Sequence, residues 1–279
     1  MEFSHYLYTA DEIKTRIAAI DSINLTDKET SYAYKTIYNC IDLTTLEGND
    51  NGAKIERLCQ KAVAYQENQK VGNVAAVCVY MPFVKQARSI LEGSGVEVAT
   101  VACAFPSGQL PLHLKLAEVS WVAAEGADEI DMVISRGKML EGAYDEVFEE
   151  IKAVKAACGK ARLKVILETG ELPDVALIRK ACELALNAGA DFLKTSTGKI
   201  TPAASPEAVV VMLDSIKEYY EKTGIMVGLK PAGGIAEPTD ALLYYKLVKH
   251  ITGDNWIDPK WFRIGASRLA DKIVALLDA

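Results

Sequence analysis

Eight short apolar runs, each followed by a stretch with helical spacing, predict an α/β chain folded as a single (β/α)8 barrel, the TIM-barrel architecture. Three observations carry that expectation. Several of the runs are almost continuously apolar, as parallel strands covered on both faces are. The chain has 279 residues, half of them hydrophobic, and single barrels of this kind commonly run to roughly 250. No G-x-G-x-x-G follows the first run, so a doubly wound open sheet lacks support.

The elements follow in order. One domain is expected over residues 1–279, with residues 1–35 as an N-terminal helical extension in which Ile13, Ile17 and Ile20 share a face. That extension would cap the bottom of the barrel or join a subunit interface. Residues 36–42 read as the first strand. Ile55, Leu58, Cys59, Ala62 and Val63 form a helical stripe. Residues 74–79 are the second strand, and Pro82 opens a helix. Residues 96–103 are the third, ended by Phe105-Pro106-Ser107-Gly108. A helix over 112–124 ends at Gly126, before a fourth strand at 129–134. The fifth covers 163–168, ahead of Thr169-Gly170-Glu171, and a helix carrying Ile178, Cys182 and Ala185 ends near Gly189. Residues 192–195 are the sixth strand. Ser205-Pro206-Glu207 is a helix start, with a capping serine before a first-turn proline. Residues 225–230 and 261–264 are the seventh and eighth strands, and Gly265-Ala266-Ser267 leads into the last helix.

Composition excludes several roles. Net charge is −7, with Lys plus Arg 31 against Asp plus Glu 38, and no basic run occurs. Binding to nucleic acid or an anionic membrane therefore has little electrostatic support. No apolar run approaches the roughly twenty residues that span a bilayer. The start lacks the basic flank and apolar stretch of a targeting peptide. The six cysteines form no C-x-x-C pair and mostly lie in apolar patterns, so free thiols in a reducing, cytoplasmic setting are expected. The three histidines, His5, His113 and His250, are scattered, which argues against a metal site. No nucleophile-elbow motif for serine hydrolysis is present.

Chemistry is expected where strands end. Lys194 closes the sixth run and Lys230 the seventh; Asp42 and Asp131 lie at or near the ends of the first and fourth. A single lysine at a strand end is most often a solvated loop residue. Here strand alternation puts Phe192 with Lys194, Glu129 with Asp131, and Gly228 with Lys230 on one face each, so the polar groups converge on the barrel interior. A desolvated amine loses its proton more readily, and a second amine nearby increases the effect. Gly233-Gly234 and Gly265-Ala266-Ser267 follow the seventh and eighth strands, where such barrels usually hold phosphate, and Gly198 and Lys199 could close that site. Any one of these glycines could simply make a turn. Three neighbouring loops of this character favour a phosphorylated substrate. Cys78, ending the second strand, reads as pocket wall or core.

At these residues the chain resembles the deoxyribose-phosphate aldolase family. The matching runs are 42–46, 126–131, 163–172, 189–199, 228–234 and 263–267. The resemblance implies a class I aldolase that reversibly cleaves 2-deoxy-D-ribose 5-phosphate to acetaldehyde and D-glyceraldehyde 3-phosphate, without a cofactor. It implies Lys194 as the Schiff-base lysine, Lys230 as the lysine that depresses its pKa, and Asp131 as the partner in proton transfer. Asp42 and Thr197 match positions near the substrate. Gly198, Lys199, Gly233, Gly234, Gly265 and Ser267 match the phosphate site. This chain departs from many relatives at Ala236, where they carry a basic residue, and at Arg268, where they carry a second serine. Phosphate contacts are therefore expected to be redistributed toward Arg268. A homodimer or larger homo-oligomer is expected. Two other readings stand beside this one: a Schiff-base aldolase or transaldolase for another phosphosugar, and a catalytically silent barrel that senses a sugar phosphate.

Overall fold

The computed structural model describes residues 1–64 and 71–278. Two helices, α1 (Ala10–Asp21) and α2 (Asp27–Asn39), precede the sheet. Each starts on a capping box: Thr9 with Glu12, and Thr26 with Glu29. The reciprocal side-chain bonds satisfy amides that a helix start otherwise leaves free. β1 (Ile41–Thr44) is followed by α3 (Gly52–Ala64), β2 (Ala76–Val79) by α4 (Val84–Leu91), and β3 (Glu97–Ala102) by α5 (Leu112–Ala124). β4 (Glu129–Val133) leads to α6 (Arg136–Leu140) and α7 (Tyr144–Ala157), and β5 (Arg162–Ile166) to α8 (Val175–Asn187). β6 (Phe192–Lys194), β7 (Gly228–Lys230) and β8 (Ile264–Ala266) are followed by α9 (Pro206–Thr223), α10 (Pro238–Thr252) and α11 (Leu269–Asp278).

All strand pairs are parallel, in the order β7-β6-β5-β4-β3-β2-β1-β8. The two edges meet through bridges at Leu229–Phe262 and Ala232–Gly265, which nearly closes the sheet on itself. This is the expected (β/α)8 barrel. Ile130, Met132, Val165, Leu193 and Leu229 face outward and pack with the helices in one buried cluster. The inward positions are different, because several of them carry charge.

The departures from the sequence reading that matter most fall at the first, seventh and eighth strands; the others shift by one or two residues. Residues 36–39 are the last turn of α2, and the first strand begins only at Ile41. The β-branched pair Thr36 and Ile37 suggested a strand. The capping box at Thr26, and burial of Ala33, Ile37 and Tyr38 at helical spacing, extend the helix instead. β7 starts at Gly228 rather than at residue 225, and β8 runs over Ile264–Ala266, later than residues 261–264.

The N-terminal segment is fastened to the outer helices. Arg16 makes a two-pronged contact with Asp214 of α9, at 2.7 and 2.8 Å, and Tyr6 donates to the same carboxylate at 2.7 Å. Arg179 of α8 lies over the rings of Phe3 and Tyr6.

Candidate active site

Lys194 and Lys230 end neighbouring strands and stand opposite each other in register. Their inward direction is set one step below, at Phe192 and Gly228. A Cβ on Gly228 would lie 2.3 Å from a carbon of the Phe192 ring, so only glycine lets that ring fill the barrel floor. The ring is in turn surrounded by Arg162, Lys164 and Arg263.

Above the ring stands a continuous ion-paired column. Lys194 Nζ donates to Asp131 Oδ2 at 2.7 Å, and Lys230 Nζ donates to the same oxygen at 2.7 Å. Lys230 also lies 2.5 Å from Asp42 Oδ2. Lys164 pairs with Glu129 and lies 3.3 Å from Asp131 and 3.5 Å from Asp42. Arg263 reaches Asp42 at 2.7 Å, Glu129 at 2.9 Å and Glu97 at 2.6 Å. Arg162 completes the lower end on Glu97 and Glu129.

Among the described residues this column links five basic side chains, Arg162, Lys164, Lys194, Lys230 and Arg263, with four carboxylates, Asp42, Glu97, Glu129 and Asp131. One cation is in excess. Buried charge without a counter-charge is strongly disfavoured, so the least-paired base is the one that gives up its proton. That base is Lys194, which touches one carboxylate where each of the others touches two or more. Burial is the largest influence pushing the Lys194 amine below its ordinary pKa; Asp131 opposes it, and the cation on Lys230 adds to it. Lys230 is equally buried, but Asp131 and Asp42 together outweigh that burial and hold it protonated. Burial also works against charge on Asp131, yet the three surrounding lysines keep it ionised well below the usual carboxylate range.

Lys194 and Lys230 form the floor of a pocket of about 220 Å3 at the C-terminal end of the strands. Thr197, Gly198, Lys199, Gly233, Gly234, Gly265 and Ser267, all singled out from the sequence, line its mouth. Ala236 and Arg268 line it as well, and α11 begins directly after Arg268. Gly233 has φ +83°, and a Cβ there would stand 2.7 Å from Ala203 and 2.9 Å from Gly198, so the two loops touch backbone to backbone. Lys199 Nζ lies 3.1 Å from Glu47 across the mouth. Asp131 and Asp42 are fully buried beneath the lysines and are not on the pocket wall. The Thr197 hydroxyl is already engaged: it donates to Glu168 at 2.6 Å and accepts from the Lys199 amide at 3.1 Å.

Cys78 is fully buried, packed with Ala76, Ala99 and Val101. Burial pushes its thiol pKa up, and all six cysteines are free and buried. Lys164, Arg263 and Glu168 were not anticipated as site residues. For Lys164 a signal exists: it is a charged residue two positions before Ile166 and two after Arg162, on the inward phase of a strand whose alternate residues, Leu163 and Val165, are apolar.

Two buried lysines sharing one carboxylate at the C-terminal mouth of a (β/α)8 barrel, where such barrels carry their active sites, place the chain among the barrel enzymes. The chain belongs to the DeoC/LacD family of aldolases, whose sequence profile matches residues 36–254. It is 44% identical over 244 residues to the deoxyribose-phosphate aldolase of Homo sapiens, covering 84% of this chain and 77% of that protein. It is 44% identical over 239 residues to the deoxyribose-phosphate aldolase of Agrobacterium fabrum, covering 85% and 88%. Among solved structures it resembles the tetrameric deoxyribose phosphate aldolase of Aeropyrum pernix, at 25% identity and a TM-score of 0.67 over 91% of this chain and 97% of that one. Among the described residues no helix is long and apolar enough to cross a membrane.

Proposed function

We propose that the chain reversibly cleaves 2-deoxy-D-ribose 5-phosphate to acetaldehyde and D-glyceraldehyde 3-phosphate through an imine on Lys194. The observation that carries this reading is the pairing of Lys194, the one member of the column with a single carboxylate, with a glycine-lined pocket directly above it. The relatives named deoxyribose-phosphate aldolase supply the substrate.

The neutral amine of Lys194 attacks C1 of the open-chain aldehyde. The carbinolamine loses water to give a protonated imine, which acts as the electron sink. The C3 hydroxyl gives up its proton, the C2–C3 bond breaks, and its electrons pass to C2 and into the imine, forming an enamine. Glyceraldehyde 3-phosphate leaves. Protonation at C2 and hydrolysis release acetaldehyde and restore the amine. Asp131 bonds both Lys194 and Lys230, and moves protons through these steps. Lys230 stays charged and keeps Lys194 neutral. Lys199, the glycine loops and Arg268 hold the phosphate and orient the reacting end.

The enzyme acts in the cytoplasm, in deoxyribonucleotide breakdown, as a homodimer or larger homo-oligomer. Buried free thiols fit the first statement, and the tetrameric relative fits the last. The test is product analysis with 2-deoxyribose 5-phosphate. Equal release of acetaldehyde and glyceraldehyde 3-phosphate supports the proposal. No cleavage, or a clear preference for another phosphosugar, overturns it.

A further inference from the structure

We infer that Glu168 is a positioning residue that sets the preference for a phosphorylated substrate, by holding the loop after β6 in its anion-binding shape. The inference rests on the proposed use of the pocket mouth as a phosphate site. Glu168 itself does not line that pocket.

Three observations single out this carboxylate. It is fully buried, and its backbone sits in the left-handed region at φ 53°, which a non-glycine residue rarely occupies. Each of its oxygens accepts from one residue of the next loop: Oε1 from the Thr197 amide at 3.1 Å, and Oε2 from the Thr197 hydroxyl at 2.6 Å. That hydroxyl accepts in turn from the Lys199 amide at 3.1 Å. Glu168 thus fixes the residues on either side of Gly198, and with them the direction of the amides and the lysine at the mouth.

The carboxylate is itself anchored. Arg136, at the start of α6, lies 3.4 Å from Glu168 and 3.0 Å from Glu171, and donates to the carbonyls of Pro106 and Ser107 at 3.1 and 3.0 Å. The loops after β3, β4, β5 and β6 are joined through these two side chains. There is also no slack between the last two: a Cβ on Gly170 would lie 2.0 Å from the Pro202 carbonyl oxygen.

The catalytic lysine is held by other means. Lys194 lies in the strand ladder and on Asp131. Ser196 donates to the Ala232 carbonyl at 2.6 Å, and Thr195 accepts from the Ala232 amide at 3.0 Å. Loss of Glu168 therefore loosens residues 197–199 and leaves the amine in place. The expected signature is a rise in KM confined to the phosphorylated substrate.

The test compares Glu168→Gln with wild type on 2-deoxyribose 5-phosphate and on unphosphorylated 2-deoxyribose. Gln offers one acceptor where two are needed, so KM for the phosphorylated substrate should rise about tenfold, kcat should change less than about threefold, and the unphosphorylated sugar should be turned over nearly as before. Thr197→Val should reproduce the shift and Thr197→Ser should not. Should Glu168→Gln fail to fold, Arg136→Gln reports on the same anchor and should raise the same KM about threefold. Equal losses on both sugars, or an unchanged KM, overturn the inference. If wild type itself shows no preference for the phosphorylated sugar, the phosphate reading fails and this inference falls with it.

Discussion

Lys194 and Lys230 are separated chemically by the number of carboxylates within their reach. Asp131 is common to both, while Asp42 contacts only Lys230. Replacing Lys230 by Leu removes a cation that lowers the Lys194 pKa and leaves the Oδ2 oxygen of Asp131 to Lys194 alone. Both changes raise the Lys194 pKa, so the rising limb of the kcat/KM–pH profile should move to higher pH. Activity lost with no alkaline shift would mean that Lys230 transfers protons itself. Asp131→Asn has the opposite sign. It removes the group that favours the charged amine, so the rising limb should move to lower pH, while kcat falls by about 10²–10⁴ through loss of proton transfer. Lys194, Lys230 and Asp131 were legible in the sequence because a charged residue on the inward phase of a buried strand needs a reason. Asp42–Arg263 and Lys164–Glu129 were not. Those pairings run across the barrel, and register between distant strands is not written in local periodicity.

At the level of elements, the loops at the mouth depend on glycine where two backbones touch. Gly233→Ala places a methyl group 2.7 Å from Ala203 at a φ that disfavours any side chain. The loop must shift, and KM for the phosphorylated substrate should rise about tenfold or more, with a smaller change for the unphosphorylated sugar. Equal kinetics on both would remove this loop from the phosphate site. Gly228→Ala acts lower down, against the Phe192 ring, and should destabilise by about 1–3 kcal/mol, read as a lower Tm. Helical spacing and punctuation located α5 at Leu112–Ala124 and the start of α9 at Ser205-Pro206. The first strand was misplaced because α2 carries β-branched residues into its last turn, where tertiary burial decides against their intrinsic preference.

Over the whole molecule, the column of ion pairs replaces an apolar barrel centre, and its stability follows pH. Asp42 and Asp131 have folded-state pKa values depressed by the surrounding cations. Their contribution is present above the unfolded value of about 3.9 and is lost as pH falls toward the folded values. Lys230 is raised, so its contribution is complete below about 10.4 and is lost as pH rises through its folded value. Asp42→Asn takes one buried carboxylate from each of Lys230, Lys164 and Arg263, and should destabilise by about 3–5 kcal/mol at neutral pH, roughly 6 °C or more in Tm. The gap between variant and wild type should narrow as pH falls from about 7 to 3. A gap that does not change with pH would contradict the electrostatic origin of that stability.

The proposed role of Lys194 as nucleophile rests on the charge balance of the same column, and trapping tests it most directly. The protein is incubated with 2-deoxyribose 5-phosphate or acetaldehyde, reduced with borohydride across a range of pH, digested and mapped by mass spectrometry. The account predicts one modified lysine, Lys194, whose trapping rate rises with pH along the same limb as kcat/KM and is lost in Lys194→Leu at every pH. Modification at Lys230 in place of Lys194, or an adduct that persists in Lys194→Leu, would contradict it.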